Sequence, residues 1–160
     1  MIDEDVYGRA ESLLQKCREA GVSVATVESC TGGLVIGSLT EIAGSSDVVD
    51  RGFVTYTNEA KNELVGVPLD LFPKVGAVSE EVARAMAAGG LARSNASIAV
   101  GITGVAGPGQ SENKPAGLVH ICASRKNGNT IHERCMLAGD RAAVRKASVL
   151  KAFELIDRLL

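Results

Sequence analysis

Three short runs of apolar and β-branched residues, Val22–Val27 (VSVATV), Gly52–Thr57 (GFVTYT) and Ser97–Ile102 (SIAVGI), alternate with stretches whose apolar residues recur at helical spacing. Runs of this kind read as buried strands, and strands alternating with helices build a layered α/β domain. Val6, Ala10, Leu13, Leu14 and Cys17 share one side of a helix over roughly Glu4 to Ala20, stopped by Gly21. A second helix is expected over Leu34 to Ala43, ending at Gly44, and a short third one over NEAKNELVG, capped by Asn58 and stopped by Gly66. Ser79, followed by Glu80 and Glu81, opens another that carries Val82, Met86 and Leu91. Leu118–Ala123 and Thr130–Leu137 form a hairpin around Asn127-Gly128. Asp140 caps a last helix whose stripe Val149, Ala152, Phe153, Ile156, Leu159 and Leu160 turns inward. The expected fold is α/β, a three-layer α/β/α sandwich with a mixed β-sheet. No repeat or linker divides the 160 residues, so a single domain over residues 1–160 is expected.

Composition removes several classes of function. Seventeen basic against 19 acidic residues give a net charge of -2, which argues against a dedicated nucleic-acid binder. Five scattered aromatic rings (Tyr7, Phe53, Tyr56, Phe72, Phe153) build no stacking platform for bases. No apolar run approaches the roughly 20 residues of a membrane span. The four cysteines lie far apart without a CxxC pair, and MIDEDVYGRAES is too acidic and polar for a secretory leader. Reduced thiols in a cytoplasmic protein are therefore expected. His120 and His132 are too isolated for a typical zinc site, and no metal is expected.

Chemistry concentrates just after the strands, where open α/β sheets bind ligands. In Glu28-Ser29-Cys30-Thr31-Gly32-Gly33 a serine stands at a strand-to-helix turn, where free amides can hold an oxyanion. Ser29 or Thr31 can equally serve as a helix cap. Cys30 is a rival nucleophile without a histidine partner. Tyr56 and Lys61 flank a second such turn. Lys61 becomes a base near neutral pH only if burial and the positive helix end lower its pKa; otherwise it is a solvated lysine. The run Gly101 to Gly109, with Thr103 and Gly104, lets the backbone approach an anion or sugar, yet it fits neither a P-loop nor the dinucleotide fingerprint. Arg141 and Arg145 lie four apart at a helix start, suited to a phosphate or to pairing with Asp140 or Glu133. Ser111-Glu112-Asn113-Lys114 matches a Ser-x-x-Lys string, but its Gly/Pro-rich surroundings suggest a chance match in a mobile loop.

Taken in order, VESCTGG, GSS, RGFVTYTNEAK, GAVSEEVA, GITGVAGPG, KPAG and GDRAAVR resemble the C-terminal domain of the competence/damage-inducible protein CinA in its stand-alone form. That family is known as nicotinamide-nucleotide amidase (PncC, NMN deamidase). The sequence holds no counterpart of the molybdopterin-binding-like domain of longer relatives. The resemblance implies deamidation of nicotinamide mononucleotide in pyridine nucleotide salvage by a serine–lysine mechanism, without cofactor. Ser29 would be the nucleophile, Lys61 its base, and Tyr56 would align or relay. Amides near Cys30, Thr31, Gly32 and Gly33 would hold the oxyanion, and Glu28 would contact the substrate or orient the site. Thr103, Gly104 and Arg145, together with Arg141, would hold the ribose phosphate. The implied partners are a small nucleotide and further copies of the chain, as a homodimer or higher assembly. The alternative is a non-catalytic nucleotide-binding or regulatory module of the same fold.

Overall fold

The computed structural model of the protein describes residues 2–160. Its five strands are β1 (Val24–Glu28), β2 (Val49–Val54), β3 (Ile98–Gly104), β4 (Leu118–Arg125) and β5 (Thr130–Met136). They form one sheet in the order β2-β1-β3-β4-β5. β1 runs parallel to β2 and β3, whereas β4 and β5 close the sheet as an antiparallel hairpin. The sheet is therefore mixed, as the sequence implies. Six helices cover it: α1 (Glu4–Ala20), α2 (Leu34–Thr40), α3 (Asn58–Val65), α4 (Leu71–Val75), α5 (Glu80–Ala92) and α6 (Arg141–Asp157).

The period-two alternation of β1 assigns its side chains to two layers. Val24 joins the larger core, where Leu14 of α1, Leu39 of α2 and Phe153 and Ile156 of α6 meet. Val27 faces the other way, onto Val65, Val82 and Met86. Small residues let α5 lie close to the sheet on this second face. A Cβ on Gly101 of β3 would stand 2.7 Å from the Ala83 carbonyl, so any side chain there would push the helix away. The same alternation sends Glu28 toward the α2 layer and Ser29 toward the α3 and α5 layer.

The chain leaves β1 toward β2 on one side and returns to β3 on the other, so the ends of β1 and β3 flank a crevice. The ladder continues past the strands: Ser29 N donates to the Ile102 carbonyl (3.0 Å) and Thr55 N to the Glu28 carbonyl (2.8 Å). Both turns that hold candidate residues are thus fixed to the sheet.

Several boundaries differ from expectation. β2 ends at Val54 because Thr57 turns out of the strand and caps α3, its hydroxyl accepting from Ala60 N at 3.0 Å. Asn58 is then the first helical residue rather than the cap. β3 extends to Gly104, absorbing the start of the glycine run. α2 stops at Thr40, and a 3-10 turn at Ser45–Asp47 leads into β2. α4 has five residues, too few to show a period in sequence. The Ser111–Lys114 segment is tied down rather than loose. Ser111 and Lys114 bond each other through their backbones, and Glu112 accepts from Ala77 N (2.9 Å) and Val78 N (3.2 Å). His120 and His132, isolated in sequence, stack across β4 and β5 with ring nitrogens 2.9 Å apart.

Candidate active site

A cavity of about 340 Å³ opens at the ends of β1 and β3, lined by Ser29, Cys30, Tyr56, Lys61, Thr103 and Arg141 among others. Lys61 enters it from the first turn of α3 and is only 1% exposed, the largest fully buried side chain among the described residues. Its Nζ lies 3.0 Å from Ser29 Oγ, 2.9 Å from the Thr55 carbonyl and 3.1 Å from the Tyr56 carbonyl. Burial disfavours the ammonium and lowers its pKa to about 8. A neutral amine has two N–H groups and one lone pair. Here two carbonyls accept the two N–H groups, which leaves the lone pair directed at the serine hydroxyl. The arrangement is that of a nucleophile beside its base.

Cys30 lines the same cavity, but burial pushes its thiol up to about 11, so it stays protonated and poorly nucleophilic at neutral pH. Tyr56 presents its backbone carbonyl to Lys61, while its ring stands at the rim, 61% exposed. The Tyr56 hydroxyl accepts from Arg141 Nη2 at 3.4 Å. Arg141 also donates to the Gly107 carbonyl (2.6 Å), which spans the cavity mouth from α6 to the glycine-rich loop. Thr103 is buried and donates to the Ala77 carbonyl at 2.8 Å, joining the end of β3 to the linker between α4 and α5.

Glu28 is placed differently from the expectation of a substrate contact. It is fully buried, and its carboxylate accepts from Val35 N (2.8 Å), Ile36 N (3.0 Å) and Thr26 Oγ1 (2.9 Å). α2 has no side-chain cap of its own, so the carboxylate of Glu28 occupies its positive end. The Gly32 amide donates to the Ser29 carbonyl, and Gly32 and Gly33 shape the turn with φ of 58° and 99°. Neither lines the cavity, nor does Thr31, whose buried hydroxyl has no hydrogen-bond partner among the described residues.

Arg145 also departs from its expected role. Its guanidinium donates to the carbonyls of Cys30 (3.2 Å) and Thr31 (3.1 Å), and it lies outside the cavity lining. It staples the turn after Ser29 from α6. The reason is reach: one turn earlier on the same helix, Arg141 meets the cavity mouth, whereas Arg145 meets the loop backbone.

Residues 7–160 match the family model of the CinA C-terminal domain. The chain belongs to this family. It is 43% identical over 155 residues to the nicotinamide-nucleotide amidohydrolase PncC of Escherichia coli (strain K12), covering 96% of this chain and 94% of that one. It is 50% identical over 142 residues to a CinA-like protein of Mycobacterium sp. (strain JLS), covering 88% of this chain and 34% of that protein. The chain thus spans about a third of the length of its mycobacterial relatives. Its fold matches the crystal structure of the competence/damage inducible protein CihA from Agrobacterium tumefaciens with a TM-score of 0.95 at 46% identity, over 99% of this chain and 97% of that one.

Within this CinA-domain chain the structure brings Ser29, Cys30, Tyr56, Lys61, Thr103, Gly104 and Arg141 to one cavity. Asn58 and Glu112 line it too, beyond the site residues the sequence points to. Asn58 was recoverable, because it precedes Lys61 by one helical turn and shares its face. Among the described residues no helix is long and apolar enough to cross a membrane.

Proposed function

We propose that the chain is a nicotinamide-nucleotide amidohydrolase that converts nicotinamide mononucleotide to nicotinate mononucleotide and ammonia, a step of pyridine nucleotide salvage. The observation that carries this reading is the 3.0 Å approach of buried Lys61 Nζ to Ser29 Oγ inside a nucleotide-sized cavity. The relatives named as amidohydrolases support the substrate.

In this mechanism neutral Lys61 takes the proton of Ser29 as the serine oxygen attacks the carboxamide carbon. With a pKa near 8, about one tenth of the enzyme carries the neutral amine at pH 7. Of the turn after Ser29 only Cys30 lines the cavity, so its amide is the one assigned to the developing oxyanion, while the Gly32 amide is already held by the Ser29 carbonyl. The helix amides of Val35 and Ile36 are excluded from this role, because Glu28 already holds them. The C–N bond then breaks, and protonated Lys61 returns its proton to the departing nitrogen, which leaves as ammonia. Water, deprotonated by Lys61, hydrolyses the resulting ester on Ser29 and restores the hydroxyl. Arg141, at the mouth, is the cation suited to the ribose phosphate, with the Thr103–Gly109 backbone beside it. Tyr56 positions Lys61 through its carbonyl and Arg141 through its hydroxyl.

The test is ammonia release from nicotinamide mononucleotide by the wild type and by Ser29→Ala. A loss of about 10³-fold or more is expected in the variant. Equal rates, or none in either protein, would leave the non-catalytic nucleotide-binding module as the better reading.

A further inference from the structure

The residues lining the cavity include a single carboxylate, and it comes from the segment set aside in sequence as a chance match. Glu112 is held in place on several sides. Its Oε1 accepts from Ala77 N (2.9 Å), and its Oε2 accepts from Val78 N (3.2 Å) and from Lys114 Nζ (3.4 Å). Lys114 in turn donates to the carbonyls of Val75 and Val78, so its charge is shared with the backbone of the linker between α4 and α5. Gly76, at φ +80°, leaves the space for this cluster: a Cβ there would stand 2.5 Å from Glu112 Oε2 and 2.9 Å from Lys114 Nζ. Burial alone would favour the neutral acid, but the two amides and Lys114 outweigh it, so the carboxyl is held below its ordinary range and is ionised at neutral pH. About a third of the side chain remains exposed on the cavity wall (32%). Its charge also reaches Lys61, where it favours the ammonium.

We propose that Glu112 is the specificity residue that admits a positively charged ring and disfavours a neutral one. The inference deepens the amidohydrolase reading and rests on it. An N-substituted nicotinamide ring is a pyridinium cation. Seated with its carboxamide at Ser29, it brings positive charge into a cavity that already holds Lys61 and Arg141. Glu112 supplies the compensating negative charge from a fixed position, with no reorganisation when the ring arrives. The bound cation in turn opposes the ammonium form of Lys61, so the ring that Glu112 admits helps make the base neutral. A neutral ring gains neither effect.

The experiment compares Glu112→Gln, nearly the same in shape, with the wild type. Two ligands are titrated: 1-methylnicotinamide, a cationic ring, and nicotinamide, its neutral counterpart. In the wild type the cation is expected to bind about tenfold more tightly, the size expected of a unit charge several ångströms away at a partly wet wall. In Glu112→Gln that preference is expected to fall to about twofold or less, while nicotinamide binding stays unchanged. Equal affinities in the wild type overturn the proposal, and so does an equal weakening of both ligands in the variant, which marks a structural role. The wild-type comparison stands even if the variant fails to fold. Binding selectivity needs no turnover. An inactive protein that still prefers the cation therefore overturns the amidohydrolase reading while supporting the role of Glu112, and an active one without preference does the reverse.

Discussion

Lys61 Nζ meets Ser29 Oγ at 3.0 Å while two backbone carbonyls, those of Thr55 and Tyr56, occupy its remaining directions. No carboxylate is hydrogen-bonded to this amine, and burial outweighs the more distant charge of Glu112, which favours the ammonium. This distinguishes the pair from an ordinary buried ion pair and makes it suitable for proton transfer. Lys61→Arg is expected to abolish activity as thoroughly as Lys61→Met, because a guanidinium stays protonated at any working pH. Lys61→Met is expected to change stability by no more than about 2 kcal/mol. It leaves two carbonyls short of a partner, yet relieves the cost of a buried charge. Steady-state deamidation and thermal unfolding of both variants check this, and an active Lys61→Arg would remove Lys61 from the role of base.

The lowered pKa gives a pH dependence with a defined sign. If Lys61 is the base, the neutral amine is the active form, and kcat/KM is expected to rise with pH through about 8 and then level. Stability should respond as well. Lys61 titrates near 8 when folded and near its ordinary 10.5 when unfolded, so the unfolded chain holds more protons between those values. The contribution of this group to stability therefore increases as pH rises from about 8 to about 10.5. Urea unfolding of the wild type against Lys61→Met across that window isolates the term. A difference that shrinks or stays flat would mean the lysine is not desolvated.

How much of this could be read from residues alone varies by element. Ser29 and Lys61 each stood out as a hydroxyl or an amine beside a strand-to-helix turn. Their meeting across 32 residues, however, followed only from the family resemblance and from the sheet that joins their turns. The inward course of Glu28 was implicit in period two: if Val27 faces α5, then Ser29 does too and Glu28 must face α2. Which of Arg141 and Arg145 faces the cavity is not legible in the sequence, since helical spacing places them on one face without fixing what each turn of α6 opposes. Glu112 gave no pattern at all. It and Asn113 have positive φ (53° and 59°) in a loop whose order comes from contacts with the linker between α4 and α5.

The two arginines are expected to separate kinetically. Arg141 stands at the cavity mouth, and the proposed mechanism gives it the substrate phosphate, remote from the reacting bond. Arg141→Ala should raise KM for the phosphorylated nucleotide about tenfold or more with little change in kcat, and should leave the dephosphorylated nucleoside nearly unaffected. Arg145 holds the carbonyls of Cys30 and Thr31, so Arg145→Ala should lower kcat for both substrates alike and reduce the melting temperature. Steady-state kinetics on the nucleotide and nucleoside pair decide between the roles. Phosphate-selective loss in Arg145→Ala would return that arginine to the ligand.

Glu28 tests whether the turn at Ser29 is held from behind. Its carboxylate takes two amides of α2 and the hydroxyl of Thr26 without reaching the cavity. Removing it leaves those donors buried and unpaired beside the positive end of the helix. Glu28→Ala is therefore expected to cost about 2–4 kcal/mol of stability. Glu28→Gln keeps the volume and one carbonyl oxygen but turns an N–H toward a donor, so an intermediate loss is expected. Because Ser29 is the next residue, kcat should fall in both variants while KM holds. Thermal unfolding and kinetics measured together make the distinction. A raised KM with an unchanged melting temperature would mean that Glu28 touches the ligand after all.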